Sequence, residues 1–401
     1  MPETRAGRLT PELRATVYYF TFFMTVGAAT VYAGIWFSDK GLDASQIGII
    51  NALPVLVMLV LNMLVGRIAD KAKDWRQVIV IGAVLGAVIP IGLFFVNDFW
   101  GILLLWTLGA IPLAAVGPVA DAATMRMTRR NGTDFGAIRA WGTIGYMAVI
   151  YLTGQIVTWL GGGAFLPFFV GLAVLRGVAS LGLPNFRAPK EELMLAVKPG
   201  ARRMREVMKP WFLLPLVGWS MVFATHLILN AFQGLLWKEQ GISELVIGLL
   251  IALGAASEAV MMFAFKRFGK RFPARTLILT SAVVSVIRWA LMGLSPSVPF
   301  LIGLQLLHSV TFALGYMGCV HFIANWTSED IAAEAQSFFQ VLQQGMSVGA
   351  LLVFGWLIGI MGAHAYFVAS AFAAVGGVLI WFSMRLMQPK QPRAPGAQAH
   401  A

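Results

Sequence analysis

The sequence predicts an all-α membrane protein: twelve transmembrane helices in two pseudo-symmetric six-helix bundles. Three observations carry this. Apolar residues make up 58% of the 401 residues and charged residues only 12%, about half the charged share of a soluble domain. Mean hydropathy is +0.77. The apolar residues come in unbroken runs of the ~20 residues that a helix needs to cross a bilayer, not in the alternating tracts of about ten that build a membrane barrel. The composition excludes a soluble enzyme, and the run length excludes a β-barrel.

The runs fall at roughly 14–37, 45–65, 76–96, 100–125, 139–160, 164–184, 210–237, 245–265, 275–295, 298–323, 336–361 and 364–386. They stop where turn residues and charge coincide, as at Ser38-Asp39-Lys40-Gly41, Asn97-Asp98, Gly161-Gly162-Gly163 and Ser295-Pro296. The longest polar stretch, with Pro189 and Pro199, separates six runs from six. The expected organisation is an N-terminal six-helix bundle over 1–184, a central cytoplasmic loop over 185–209, a C-terminal six-helix bundle over 210–387 and a disordered, Pro- and Ala-rich tail over 388–401. The first apolar run is too long for a cleavable signal segment.

Net charge is +12, but its placement argues against nucleic acid. The basic residues cluster in alternate loops: Arg67, Lys71, Lys73 and Arg76; then Arg126, Arg129 and Arg130; then 187–209; then Lys266, Arg267, Lys270, Arg271 and Arg275. The intervening loops hold little beyond Lys40 and Lys238. This asymmetry places the basic loops and both termini in the cytoplasm of a bacterial inner membrane. The expected partners are the lipid bilayer, protons and a small-molecule substrate, with the chain a monomer. Cys319 is the single cysteine, and no His-x-x-x-His or Glu-x-x-His pattern occurs, so neither a metal nor another cofactor is expected. No nucleophile stands with a base, so no catalytic residue is assigned.

Ionisable side chains inside a span are costly, and usually face a cavity with a partner. The candidates are Asp121, Arg139, Arg176, Glu258 and Arg288, with His226, His308 and His321. Asp121 follows Gly117-Pro118, a helix-weakening pair, and Arg139 opens the fifth span, where the two could meet. Glu258 lies among the small residues Gly254-Ala255-Ala256-Ser257, which let helices approach, and Arg288 is its expected counter-charge. Arg176, in the last turns of span six, is assigned to snorkelling toward the cytoplasmic surface, and His321 to packing. Tyr19, Tyr32, Trp141, Tyr146 and Trp289 supply aromatic surface for a ligand, whereas Trp36, Trp100, Trp159 and Trp381 suit the lipid interface.

Between the second and third runs stands Gly66-Arg67-Ile68-Ala69-Asp70-Lys71-Ala72-Lys73-Asp74-Trp75-Arg76. It resembles the Gly-x-Leu-Ala-Asp-Arg-x-Gly-Arg-Arg loop of the major facilitator superfamily. The resemblance implies a gating loop in which Gly66 allows close approach, and Asp70 beside Lys71 caps a helix or latches to a neighbouring basic group. The second half has Phe265-Lys266-Arg267-Phe268-Gly269-Lys270-Arg271-Phe272, without the aspartate.

The stretch from Val119-Ala120-Asp121 through Phe135-Gly136-Ala137-Ile138-Arg139 to Gly145-Tyr146 is similar to the span four–five hairpin of the lactose permease branch. There a carboxylate and an arginine hold the sugar and an aromatic ring stacks on it. Glu258, Arg288 and His308 match that branch's span eight carboxylate, span nine arginine and span ten histidine. Its other charges are replaced here by Thr311, Gln305 and Gln343, and span seven lacks its aspartates, so charges were lost in pairs, as burial demands. The phenylpropionate permease branch is more similar still, in His226 with Trp237, Gly254 to Glu258, Val286-Ile287-Arg288-Trp289, Gln305, His308 and Thr311-Phe312. The resemblance implies a major facilitator fold and proton-coupled symport by alternating access. Glu258 would carry the proton, with Arg288 as counter-charge and His308 as relay. Asp121, Arg139, Tyr146, Trp141, Tyr19, His226, Gln305 and Gln343 would line the substrate cavity. The residues leave open an aromatic carboxylate, a neutral sugar or a nucleoside as substrate. Antiport stays open too, although span five, Gly142-Thr143-Ile144-Gly145-Tyr146, lacks the Gly-Pro pair usual in the superfamily's antiporters.

Overall fold

The computed structural model describes residues 9–133, 135–186, 208–268, 271–327 and 329–386. Most of the expected central loop and all of the expected tail lie outside the described residues. In the first half the helices are α1 (Pro11–Asp39), α2 (Ala44–Lys71), α3 (Trp75–Val88), α4 (Phe99–Asn131), α5 (Phe135–Leu160) and α6 (Phe165–Leu181). The second half has α7 (Pro210–Thr225), α8 (Leu227–Ala231), α9 (Gln233–Glu239), α10 (Glu244–Phe268), α11 (Ala274–Met292), α12 (Val298–Leu306), α13 (Gly315–Trp326), α14 (Glu329–Met361) and α15 (Ala365–Arg385). Among the described residues, eleven stretches are long and apolar enough to cross a membrane. The last, Phe338–Arg385, is 48 residues long and holds two helices separated by a turn at Gly362–His364, which makes twelve crossings.

The turns form where the sequence offers a left-handed residue or a cap. Gly41 and Gly241 take φ of +83° and +79° after α1 and α9, a region open to glycine at no cost. Asp98 caps α4, its Oδ2 accepting from Gly101 N at 2.8 Å. Three helices run past the apolar segment that predicts them: α2 to Lys71, α4 to Asn131 and α14 from Glu329. Polarity ends the membrane segment, but only a breaker ends a helix; α4 stops at Gly132, with φ +66°. Gly66, Asp70 and Lys71, expected in a loop, are therefore on the last turns of α2, and their side chains lie outside the described residues. Gly117-Pro118 does not break α4 either.

The two halves repeat one device. In the first, the carbonyls that end α6 accept from Arg76 at the start of α3, with Nε to Leu183 O and Nη2 to Leu181 O, both 2.7 Å. In the second, Arg275 at the start of α11 donates to Ser383 O near the end of α15 at 2.6 Å. Each cation satisfies carbonyls left open at a helix C-terminus and complements its dipole. Within the second bundle Gly218 of α7 and Gly376 of α15 pack backbone to backbone; a Cβ on either would lie 2.5 Å from the other's carbonyl oxygen.

Contacts between the halves gather at the end that carries the 39–44 and 239–244 turns, here called the far end. A Cβ on Gly48 of α2 would stand 2.7 Å from Leu351 O of α14. Lys238 Nζ lies 3.2 Å from Asp39 Oδ1 and 3.8 Å from Glu244 Oε1. Tyr32 Oη donates to Glu244 O at 2.9 Å.

Two expected surface placements are corrected. Arg176 does not snorkel: it is 1% exposed, inside the first bundle. Gly86 of α3 makes the room, since a side chain there would collide with the Arg176 guanidinium. Trp36 is core and not interface, packed on Phe37 and Phe165. Trp100, Trp159 and Trp381 are exposed, as a lipid-facing ring would be.

Candidate functional site between the halves

A cavity of about 310 Å³ lies between the two halves. The first half contributes Phe23 of α1 and Arg139, Thr143 and Tyr146 of α5; the second contributes spans seven, eight and ten. Residues 139, 143 and 146 are spaced four and three apart, so one face of α5 turns all three toward the cavity.

The second half reaches the cavity through irregular helix. Span seven is cut at His226 and at Phe232 into α7, α8 and α9. Span ten loses α geometry over Ser309–Leu314, a π turn directly after His308. Both distortions sit where His226, Gln233, His308 and Phe312 meet the cavity. Broken and π-helical segments inside a membrane are tolerated where they line a cavity, and they free side chains and backbone for a ligand.

Arg288 is fully buried behind this wall and does not line the cavity. Its Nη1 donates to Thr311 Oγ1 at 2.9 Å and lies 3.1 Å from His308 Nδ1, and its Nη2 donates to Gln305 Oε1 at 2.6 Å. Thr311 and Gln305, which stand where the lactose permease branch has charges, thus bind the arginine. Glu258 does not pair with Arg288 directly, because His308 stands between them. Its Nε2 is 3.3 Å from Glu258 Oε2. A guanidinium can only donate, so Nδ1 accepts; the single proton of the neutral ring is then on Nε2, donated to the carboxylate. The order is Glu258, His308, Arg288, and Glu258 is the member that lines the cavity together with His308.

On the other wall, the Arg139 guanidinium lies 3.9 Å from the centre of the Phe23 ring. Its Nε is 4.0 Å from Asp121 Oδ1, a loose and half-exposed pair. Asp121 is held by Tyr19 Oη, which donates at 2.6 Å. Arg139 therefore keeps donors for a ligand while one carboxylate balances part of its charge.

Of the sequence candidates, Arg139, Tyr146, His226, Glu258, Gln305 and His308 come together at the cavity. Asp121 and Tyr19 stand one step behind Arg139, since among the described residues span four contributes none to the cavity wall. Trp141, two residues from Arg139, is turned to the opposite face of α5 and is 50% exposed. Gln343 is buried in α14, away from the cavity. Phe23, Thr143, Gln233 and Phe312 were not foreseen as ligand residues. Helical spacing from Arg139 would have found Thr143, and Gln233 is one of the few polar residues in its span.

Two apolar bundles close on a cavity with a cation on one wall and a carboxylate on the other, an arrangement suited to a membrane transporter. The profile of the MFS_1 like family matches residues 13–369, and the chain belongs to that family. It is 26% identical over 383 residues to the "Probable 3-phenylpropionic acid transporter" of Escherichia coli (strain K12), covering 90% of this chain and 95% of that one. It is 25% identical to the "Maltose permease" of Geobacillus stearothermophilus, over 95% of each chain. The crystal structure of nucleoside transporter NupG superposes with a TM-score of 0.81 at 18% identity, over 94% of this chain and all of that one, so the fold is that of the major facilitators.

Proposed function

We propose that the protein imports a small aromatic carboxylate together with a proton, by alternating access. The observation that carries this is the placement of Arg139 and the Glu258–His308 pair on opposite halves of one cavity. A carboxylate from the substrate takes charge-assisted hydrogen bonds from Arg139, and its ring lies among Phe23, Tyr146 and Phe312. An ionised Glu258 in the same cavity repels that anion, so the two load together only when Glu258 holds a proton. The His308 ring, kept in one tautomer by Arg288, accepts no proton at Nδ1 and positions Glu258 as the loading site. Similarity to a phenylpropionic acid transporter points to the same class of substrate.

The far-end contacts close one side of the cavity. On the other, the lining reaches Arg139 in the second turn of α5 and Met262 in the last turns of α10. The basic residues at that end support reading it as the cytoplasmic side, and the cavity as facing inward. A neutral sugar or nucleoside is the second reading, favoured by similarity to a maltose permease and by the carboxylate and amides of the cavity wall. The test is affinity against pH for 3-phenylpropionate and for its amide. The acid should bind more tightly as pH falls, until the ligand itself protonates, and the amide should bind weakly at every pH. Equal, pH-independent affinities would remove the anion and leave the neutral substrate.

A further inference from the structure

Span seven presents two buried polar groups to the cavity that the carboxylate and proton sites leave unused. His226 is 2% exposed, edge-on to Trp289 at 5.0 Å between ring centres and 5.6 Å from Phe312. Its Nδ1 is 2.9 Å from Val222 O. A carbonyl can only accept, so Nδ1 carries the proton of the neutral ring and Nε2 is left as a bare acceptor. That Nε2 is buried and has no hydrogen-bond partner among the described residues. Gln233 is likewise 2% exposed, and its Oε1 is buried without a partner among them. Both residues line the cavity, with Leu229 between them on the same face of the span. Buried polar side chains almost always have a partner, and bare acceptors on two residues that line one cavity call for a donor on its occupant.

The carboxylate assigned to Arg139 has no hydrogen to offer, so it cannot satisfy them. Nor does an unsubstituted phenyl ring. Arg139, in the second turn of α5, stands toward the end away from the far-end contacts and Gln233, on the helix that runs to the 239–244 turn, toward the far end. We infer that the preferred substrate is a hydroxylated aromatic acid, whose ring hydroxyl, at the end away from its carboxylate, donates its single hydrogen to one of the two acceptors, His226 Nε2 or Gln233 Oε1. Resting on the carboxylate site proposed at Arg139, this adds the discrimination between a phenol and a bare ring. Sites built to bond a hydroxyl reject the analogue without one far more strongly than apolar pockets reject an extra methylene.

The experiment is isothermal titration of the purified protein with four ligands: 3-phenylpropionate, 3-(4-hydroxyphenyl)propionate and the amide of each. The hydroxylated acid should bind at least about tenfold more tightly than the plain acid, with the same preference within the amide pair. In Gln233→Met or in His226→Phe, whichever removes the acceptor in use, the ratio should fall toward one. Equal affinity of hydroxylated and plain ligands for the wild-type protein overturns the inference, as does a preference that survives in both variants. The comparison on wild-type protein decides even where a variant does not fold. The carboxylate is tested separately by acid against amide: amides that bind as well as acids remove the Arg139 site, while the ratio within the amides still reads the hydroxyl. Binding of none of the four overturns both.

Discussion

In the proposed mechanism Arg139 and Glu258 divide the work at the residue scale, and each predicts a different failure. Arg139→Gln removes a charge-assisted bond of about 1.5–3 kcal/mol, so affinity for 3-phenylpropionate should fall roughly 10- to 100-fold, whereas its amide should lose little. Equal losses for acid and amide would mean that Arg139 only shapes the cavity. Glu258→Gln fixes a neutral side chain at the proposed proton-loading site. Exchange of labelled substrate across a vesicle membrane should survive, while accumulation against a gradient should stop. A variant that still accumulates substrate moves proton loading elsewhere, and Asp121, bonded to Tyr19 beside Arg139, is the next candidate. The ionisable residues were legible because charge inside an apolar run is rare, but their partners were not. Nothing in the run around Arg176 shows that Gly86, ninety residues earlier, makes room for its guanidinium, and nothing around Arg288 shows that His308 stands between it and Glu258.

At the scale of elements, twelve spans and most of their turns can be read from the sequence, because apolar length and turn chemistry are local. The breaks in spans seven and ten cannot. Their runs are as apolar as their neighbours', and the geometry is set by what packs around them: Trp289 Nε1 donates to Thr225 Oγ1 at 2.8 Å at the end of α7, and the His308 ring stacks on Phe312 across the π turn at 5.2 Å. Cavity residues come from these breaks, so Gln233 and Phe312 were missed together. Close helix approach yields a test of its own. Gly218→Val drives a side chain into the Gly376 carbonyl, an overpacking that costs roughly 1–3 kcal/mol, and melting of the detergent-solubilised protein should shift downward. An unchanged melting temperature would mean that α7 and α15 part easily at that point.

Across the whole molecule, the proposed alternating access requires the far-end contacts to open while the opposite side closes. Gly48→Leu places a side chain against Leu351 O of α14 and should hold α2 and α14 apart. The variant should favour the outward-open state, seen as a longer spin-label distance between α2 and α14 at the far end, with transport reduced. An unchanged distance would place the gate elsewhere. The bundles themselves were readable from the 6+6 count, since the lipid forces every backbone group into a helix. The cavity's shape was not, because it depends on how the two bundles lean on each other.

Coupling is read most directly by the proton itself. Lightly buffered proteoliposomes holding the protein, given external 3-phenylpropionate at neutral pH, should take up protons with substrate, so the medium turns alkaline, and Glu258→Gln should abolish the signal. An acidified medium would establish antiport, and substrate uptake with no pH change would contradict proton coupling through this cavity.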